Sequence, residues 1–129
     1  MPITSKQILL VDDEKDILFF YSECLKSNDY HIISFDNPVE ALNHLNINEN
    51  IANCSLVITD YKMPQMSGID LIKKIKEKYF AYKIKTMLIS AYLKTDLLKD
   101  HPYLEKIDKV IEKPVTLDTL KKEVSELIK

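Results

Sequence analysis

Short, uninterrupted apolar runs alternate along this chain with longer stretches in which apolar residues return every three or four positions. The runs are 7–11 (QILLV), 30–35 (YHIISF), 56–59 (LVIT), 85–89 (KTMLI) and 109–112 (KVIE). Their length and β-branched content predict strands buried on both faces, as in a parallel sheet. After the first run, Ile17, Phe20, Tyr21, Cys24 and Leu25 recur with helical spacing until Asn28-Asp29 stops them. Asn37-Pro38 supplies a cap and a proline at the first helical position, with Val39, Leu42 and Leu45 expected inward. The polar stretch 46–55 reads as a loop. A third helix is expected from about Ser67, with Ile69, Ile72, Ile75 and Tyr79 inward and Lys73, Lys74, Lys76 and Lys78 as a solvated outer face. A short fourth helix is expected over 95–100, broken by Pro102. A fifth begins near Thr116 and buries Leu117, Leu120, Val124, Leu127 and Ile128.

Five strands alternating with five helices predict right-handed crossovers and a parallel sheet covered on both faces. The expected fold class is α/β: a single (βα)5 flavodoxin-like domain over 1–129, with strand order 2-1-3-4-5. Repeats, low-complexity segments and linkers are absent from the sequence.

Composition narrows the function. At 129 residues with 46% hydrophobic and 29% charged positions, the chain reads as one soluble domain. All eighteen basic residues are lysine. Arginine is the preferred fork for guanine edges and phosphates, so its absence weighs against nucleic-acid recognition. Cys24 and Cys54 lack metal-ligand spacing and suit a reducing compartment. Neither a signal peptide nor a run of membrane-spanning length is present, so no membrane partner is expected and the cytoplasm is the expected location. Gly68 is the one glycine, which excludes a glycine-rich phosphate loop.

The candidate chemistry lies at the strand ends. Strands one and three are central neighbours in the expected order. Asp12-Asp13 end strand one, Asp60 ends strand three, Ser90 ends strand four and Lys113 ends strand five. These side chains would meet at one edge of the sheet, where open α/β sheets bind ligands. Three carboxylates that close raise one another's pKa unless a cation intervenes, and hard oxygen ligands point to magnesium. Asp60 could then act as a nucleophile toward phosphorus, with Ser90 and Lys113 facing the phosphoryl oxygens. Lysine followed by proline at 113–114 suits a cis peptide that aims the ammonium back into the site.

Asp12-Asp13, the stretch 60–68 (DYKMPQMSG), Ser90-Ala91 and Lys113-Pro114 stand in the order and spacing of a response-regulator receiver domain, and the chain resembles that CheY-like family over nearly all of 6–129. The resemblance implies Asp60 as the phosphoacceptor from a phosphohistidine. It implies Mg2+ held by Asp12 (through water), Asp13, Asp60 and the Lys62 backbone carbonyl. Ser90 takes the place of the signalling hydroxyl and Lys113 that of the family's lysine. Lys62 and Tyr92 occupy the two places that tune hydrolysis. The partners it implies are a histidine kinase or histidine phosphotransfer protein, and a downstream protein docking on the face of the fourth helix, fifth strand and last helix. Such a domain, here without a fused effector, acts by binding rather than by turnover of a small substrate.

One departure stands out: where the family often carries a switching aromatic, three residues before the lysine, this chain has Val110. Two other classes compete. A haloacid-dehalogenase-type phosphatase also uses an aspartate nucleophile and magnesium, but resembles D-x-D after its first strand. A flavodoxin-like cofactor binder would meet an acidic loop after strand one, which repels phosphate.

Overall fold

The computed structural model describes residues 6–128. Five parallel strands form one sheet: β1 (Lys6–Val11), β2 (Tyr30–Phe35), β3 (Cys54–Asp60), β4 (Lys85–Ser90) and β5 (Lys109–Glu112), in order β2-β1-β3-β4-β5. The expected topology is the observed one. Six α-helices cover it: α1 (Lys15–Cys24), α2 (Pro38–Leu45), α3 (Asn48–Asn53), α4 (Gly68–Lys78), α5 (Lys94–Asp100) and α6 (Leu117–Leu127). Short 3-10 turns lie at Phe80–Tyr82 and Pro102–Lys106.

Alternation along the strands divides the core. Ile8, Leu10, Leu56, Ile58, Met87 and Ile89 meet Tyr21, Cys24 and Leu25 of the α1 side and Leu120 and Val124 of α6. Leu9, Val11 and Val57 face the other way, toward Ala41, Leu45, Ile51, Leu71 and Ile75. Successive strand residues point to opposite faces, so a sheet covered on both sides needs every position apolar. That is why the strand runs carry no polar alternation.

The helix starts follow their caps. Asn37 Oδ1 accepts the Val39 and Glu40 amides at 2.8 and 3.3 Å, ahead of Pro38 at the first helical position. Ser67 Oγ accepts the Asp70 amide at 3.1 Å, and Thr116 Oγ1 accepts that of Thr119 at 3.2 Å. Each satisfies a donor that the first turn leaves free.

Three expectations are corrected. The stretch 46–55 is not all loop: α3 forms there because Ile51 finds the core, and β3 starts at Cys54. Val39 and Leu117 are exposed, both in the first turn of their helices. Phe20 is also exposed, beside the buried Tyr21 that takes its place inward.

Candidate functional site

The carboxyl edge of the sheet is levelled by hydrogen bonds between strand exits. The Asp12 amide donates to the Phe35 carbonyl at 3.2 Å, the Tyr61 amide to that of Ile89 at 2.8 Å, and the Lys113 amide to that of Ser90 at 2.8 Å. Each strand thus hands its last side chain to the same height. Asp60 is held further by its neighbours: Thr59 Oγ1 donates to its carbonyl at 3.0 Å, and the Gly68 amide donates to the Tyr61 carbonyl at 2.7 Å.

Above this edge lies a hollow of about 600 Å3, with Asp13, Asp60, Lys62, Tyr92 and Lys113 among the residues around it. Asp12, Asp13 and Asp60 each bring a carboxylate oxygen within 4.8 Å of the others. Lys113 Nζ donates to Asp60 Oδ1 at 2.8 Å. The Lys113-Pro114 peptide is cis, as the sequence suggested.

The electrostatics follow from burial. Desolvation pushes Asp12 from 3.8 up to about 6, against the Glu14 amide that donates to its Oδ1 at 2.9 Å, with the charges of Asp60 and Asp13 adding to the rise. Burial also raises Asp60, only partly offset by the Lys113 hydrogen bond and charge. Burial opposes the Lys113 ammonium, yet the hydrogen bond and charge of Asp60 outweigh it and raise its pKa. Tyr21, beneath the cluster, is pushed up to about 12 by burial and by the charges of Asp12 and Asp60.

A cation fits this set on the structure's own terms. Asp12 Oδ2 is buried without a hydrogen-bond partner among the described residues. An orphaned buried carboxylate oxygen is costly, and carboxylates raised by crowding and desolvation are relieved by positive charge. The donors are all hard oxygens, which suits a small divalent cation.

The structure brings Asp12, Asp13, Asp60, Lys62, Tyr92 and Lys113 together around the site. Ser90 differs: it is buried at the end of β4, and its Oγ accepts the Tyr92 amide at 2.9 Å. Ala91 and Tyr92 line the hollow in its stead. Val110 packs, half-buried, against the cluster of Ile69, Ile72, Leu88, Leu97, Leu104 and Ile107. Sequence reasoning missed Tyr61, whose hydroxyl lies 3.1 Å from His101 Nε2 and whose ring meets Tyr92 edge-on. Its place next to Asp60 was a signal for a site residue. Nothing in the sequence paired it with a histidine forty residues away.

Fold and site together define a signalling domain of the α/β receiver class, and the comparisons agree. The response regulator receiver domain family matches residues 8–125, and the chain belongs to that family. It is 31% identical over 123 residues to the receiver protein CpdR of Brucella abortus, covering 95% of this chain and 97% of that one. It is 33% identical over 91 residues to the two-component response regulator ORR3 of Oryza sativa subsp. indica, covering 70% and 67% of the two chains. Among solved structures, a response regulator receiver domain protein of Clostridium thermocellum superposes with a TM-score of 0.81 at 26% identity, over 95% of this chain and 94% of that chain. The response regulator TrrA of Thermotoga maritima, solved in complex with Mg2+ and BeF, gives 0.77 at 31% identity, over 95% and 98%.

Proposed function

We propose that this receiver domain takes a phosphoryl group from a phosphohistidine onto Asp60 and changes its protein contacts in response. The observation that carries this is the Lys113 ammonium at 2.8 Å from Asp60 Oδ1, beside a carboxylate oxygen of Asp12 buried without a partner. Among the described residues, a paired nucleophile thus stands in the same carboxylate cluster as an unsatisfied acidic oxygen.

In this reading an Asp60 oxygen forms a bond to phosphorus as the bond to the donor's imidazole nitrogen breaks. The electron pair leaves on that nitrogen, which takes up a proton. Asp12, Asp13, Asp60 and the Lys62 carbonyl would hold Mg2+, which supplies charge neutralisation for the transferred oxygens. Lys113 orients Asp60 beforehand and offers its ammonium to the phosphoryl group. Ser90, buried just behind the hollow with its Oγ accepting the Tyr92 amide, would have to turn its hydroxyl proton toward a phosphoryl oxygen. Lys62 and Tyr92 stand at the rim, where they can keep an attacking water from the aspartyl phosphate.

The partners in this proposal are a histidine kinase or phosphotransfer protein as donor, and a downstream protein docking on α5, β5 and α6. The cytoplasm is its proposed location; no helix among the described residues is long and apolar enough to cross a membrane. Output by binding, rather than turnover of a small substrate, is part of the same proposal. Incubation with acetyl phosphate and Mg2+ should add one phosphoryl group, acid-labile and absent from Asp60→Asn. Labelling that survives in Asp60→Asn, or runs fully in EDTA, overturns the proposal.

A further inference from the structure

Two hollows share a wall at Asp60's side of the sheet. The first is the acidic one; the second, of about 380 Å3, reaches toward α5, where it is bounded by Leu97, Asp100 and His101. Tyr61 and Tyr92 belong to both. The two rings differ in how they are fixed.

Tyr61 is held from every direction. Its amide donates to the Ile89 carbonyl at 2.8 Å and its carbonyl accepts the Gly68 amide at 2.7 Å. Its ring packs on the apolar cluster around Ile69, Leu88 and Leu97, and its hydroxyl lies 3.1 Å from His101 Nε2. The His101 ring also meets it edge-on, with centroids 5.7 Å apart. Tyr92 has far less support. The residue is 47% exposed, and its hydroxyl has no hydrogen bond among the described residues. Its one aromatic contact is the ring of Tyr61, at 5.9 Å and 87°. That edge-to-face geometry is a favoured one for aromatic pairs.

From these contacts we infer that Tyr61, braced by His101, is the positioning residue that holds the Tyr92 ring across the mouth of the acidic hollow, and so sets how long a phosphoryl group survives on Asp60. The inference rests on the reading of Asp60 as phosphoacceptor. Hydrolysis requires a water to reach phosphorus in line with the Asp60 oxygen, and an aromatic ring kept over the mouth denies it that place. A ring on an exposed loop would otherwise sample several staggered positions. Tyr61 acts at one remove: it need not touch the phosphoryl group, only limit where Tyr92 goes. Its brace comes from the turn after α5, so that segment bears on the lifetime without lining the acidic hollow.

The test is the decay rate of the phosphorylated protein after removal of acetyl phosphate, for Tyr92→Ala, Tyr61→Leu and the double variant. Tyr61→Leu should speed decay about as much as Tyr92→Ala, by threefold or more, and the double variant should be no faster than Tyr92→Ala alone. Tyr61→Phe and His101→Ala, which keep the ring but lose the brace, should fall between wild type and Tyr61→Leu. His101→Gln, which restores a partner for the hydroxyl, should return toward wild type. The Tyr92 ring-proton NMR signals of the unphosphorylated protein should move in Tyr61→Leu. A general loss of stability would give neither the non-additivity nor the glutamine rescue. Wild-type protein that takes no label overturns the phosphoacceptor reading. Normal labelling with decay unchanged in Tyr61→Leu, or with effects that simply multiply in the double variant, overturns the brace.

Discussion

Lys113 and Asp60 form an ion pair at 2.8 Å although their strands are not neighbours, since β4 lies between β3 and β5. The lysine reaches across the end of β4 to the carboxylate, and the Lys113 amide is itself tied to the Ser90 carbonyl on that strand. Lys113→Met should therefore leave Asp60 buried with its pKa rise unopposed. The rate of labelling by acetyl phosphate should fall roughly 10- to 100-fold, as expected for losing a charged hydrogen bond. The acid limb of its pH profile should move to higher pH, because the group that favoured the ionised carboxylate is gone. A profile that drops in rate without moving would assign Lys113 to the phosphoryl group alone.

Asp12 gives a pH dependence of opposite sense to the common carboxylate case. With its folded pKa raised from 3.8 to about 6 by burial, the native state holds a proton more tightly than the unfolded chain. Its contribution is fully present below about pH 4 and is lost as pH rises through 6, a difference of about 3 kcal/mol. In EDTA, wild type should lose stability relative to Asp12→Asn between pH 4.5 and 7.5, measured by urea unfolding. Mg2+ should shrink that loss. A constant gap between the two proteins across this range would contradict the assignment.

Gly68 is required for space. A methyl group at its position would meet the Asp60 carbonyl oxygen at 2.1 Å and Leu88 Cδ1 at 2.8 Å. Gly68→Ala forces the strand end and the start of α4 apart, at a cost of roughly 1–3 kcal/mol. Because the displaced oxygen belongs to Asp60, labelling should slow along with the fall in urea midpoint. A variant that is destabilised yet labels at the wild-type rate would separate packing here from the site.

Lys62 and Tyr92 are both exposed and both line the acidic hollow. Lys62→Ala and Tyr92→Ala should each hasten dephosphorylation, about tenfold for every 1.4 kcal/mol of barrier lost. Identical decay in both variants and wild type would show that neither side chain guards the phosphoryl group.

The sheet and its five strand ends were legible because burial on both faces leaves a plain apolar signature. The carboxylates at 12, 13 and 60 and the lysine at 113 were legible because chain order places them on one edge. What escaped depends on contacts distant in sequence. Helix α3 lacks periodicity and exists because one residue, Ile51, reaches the core. Val39 and Leu117 match the helical pattern, yet are exposed in the first turns of their helices. The Tyr61–His101 pair joins residues whose separation carries no pattern. Ser90 was correctly placed on its strand, but its accepted bond from the Tyr92 amide depends on how the following loop turns.

The backbone between Asp60 and α4 has one further property. Gln65 takes φ 74 and, beyond α4, Lys83 takes φ 53, left-handed positions where glycine is the usual occupant. A residue with a side chain gives up about 1–2 kcal/mol to stand there. The same side chains narrow what the unfolded chain can explore, so ordering these turns forfeits less freedom than glycines would. Glycine at 65 would therefore ease the folded turn after Asp60 and, in the same stroke, leave the unfolded chain more freedom to lose.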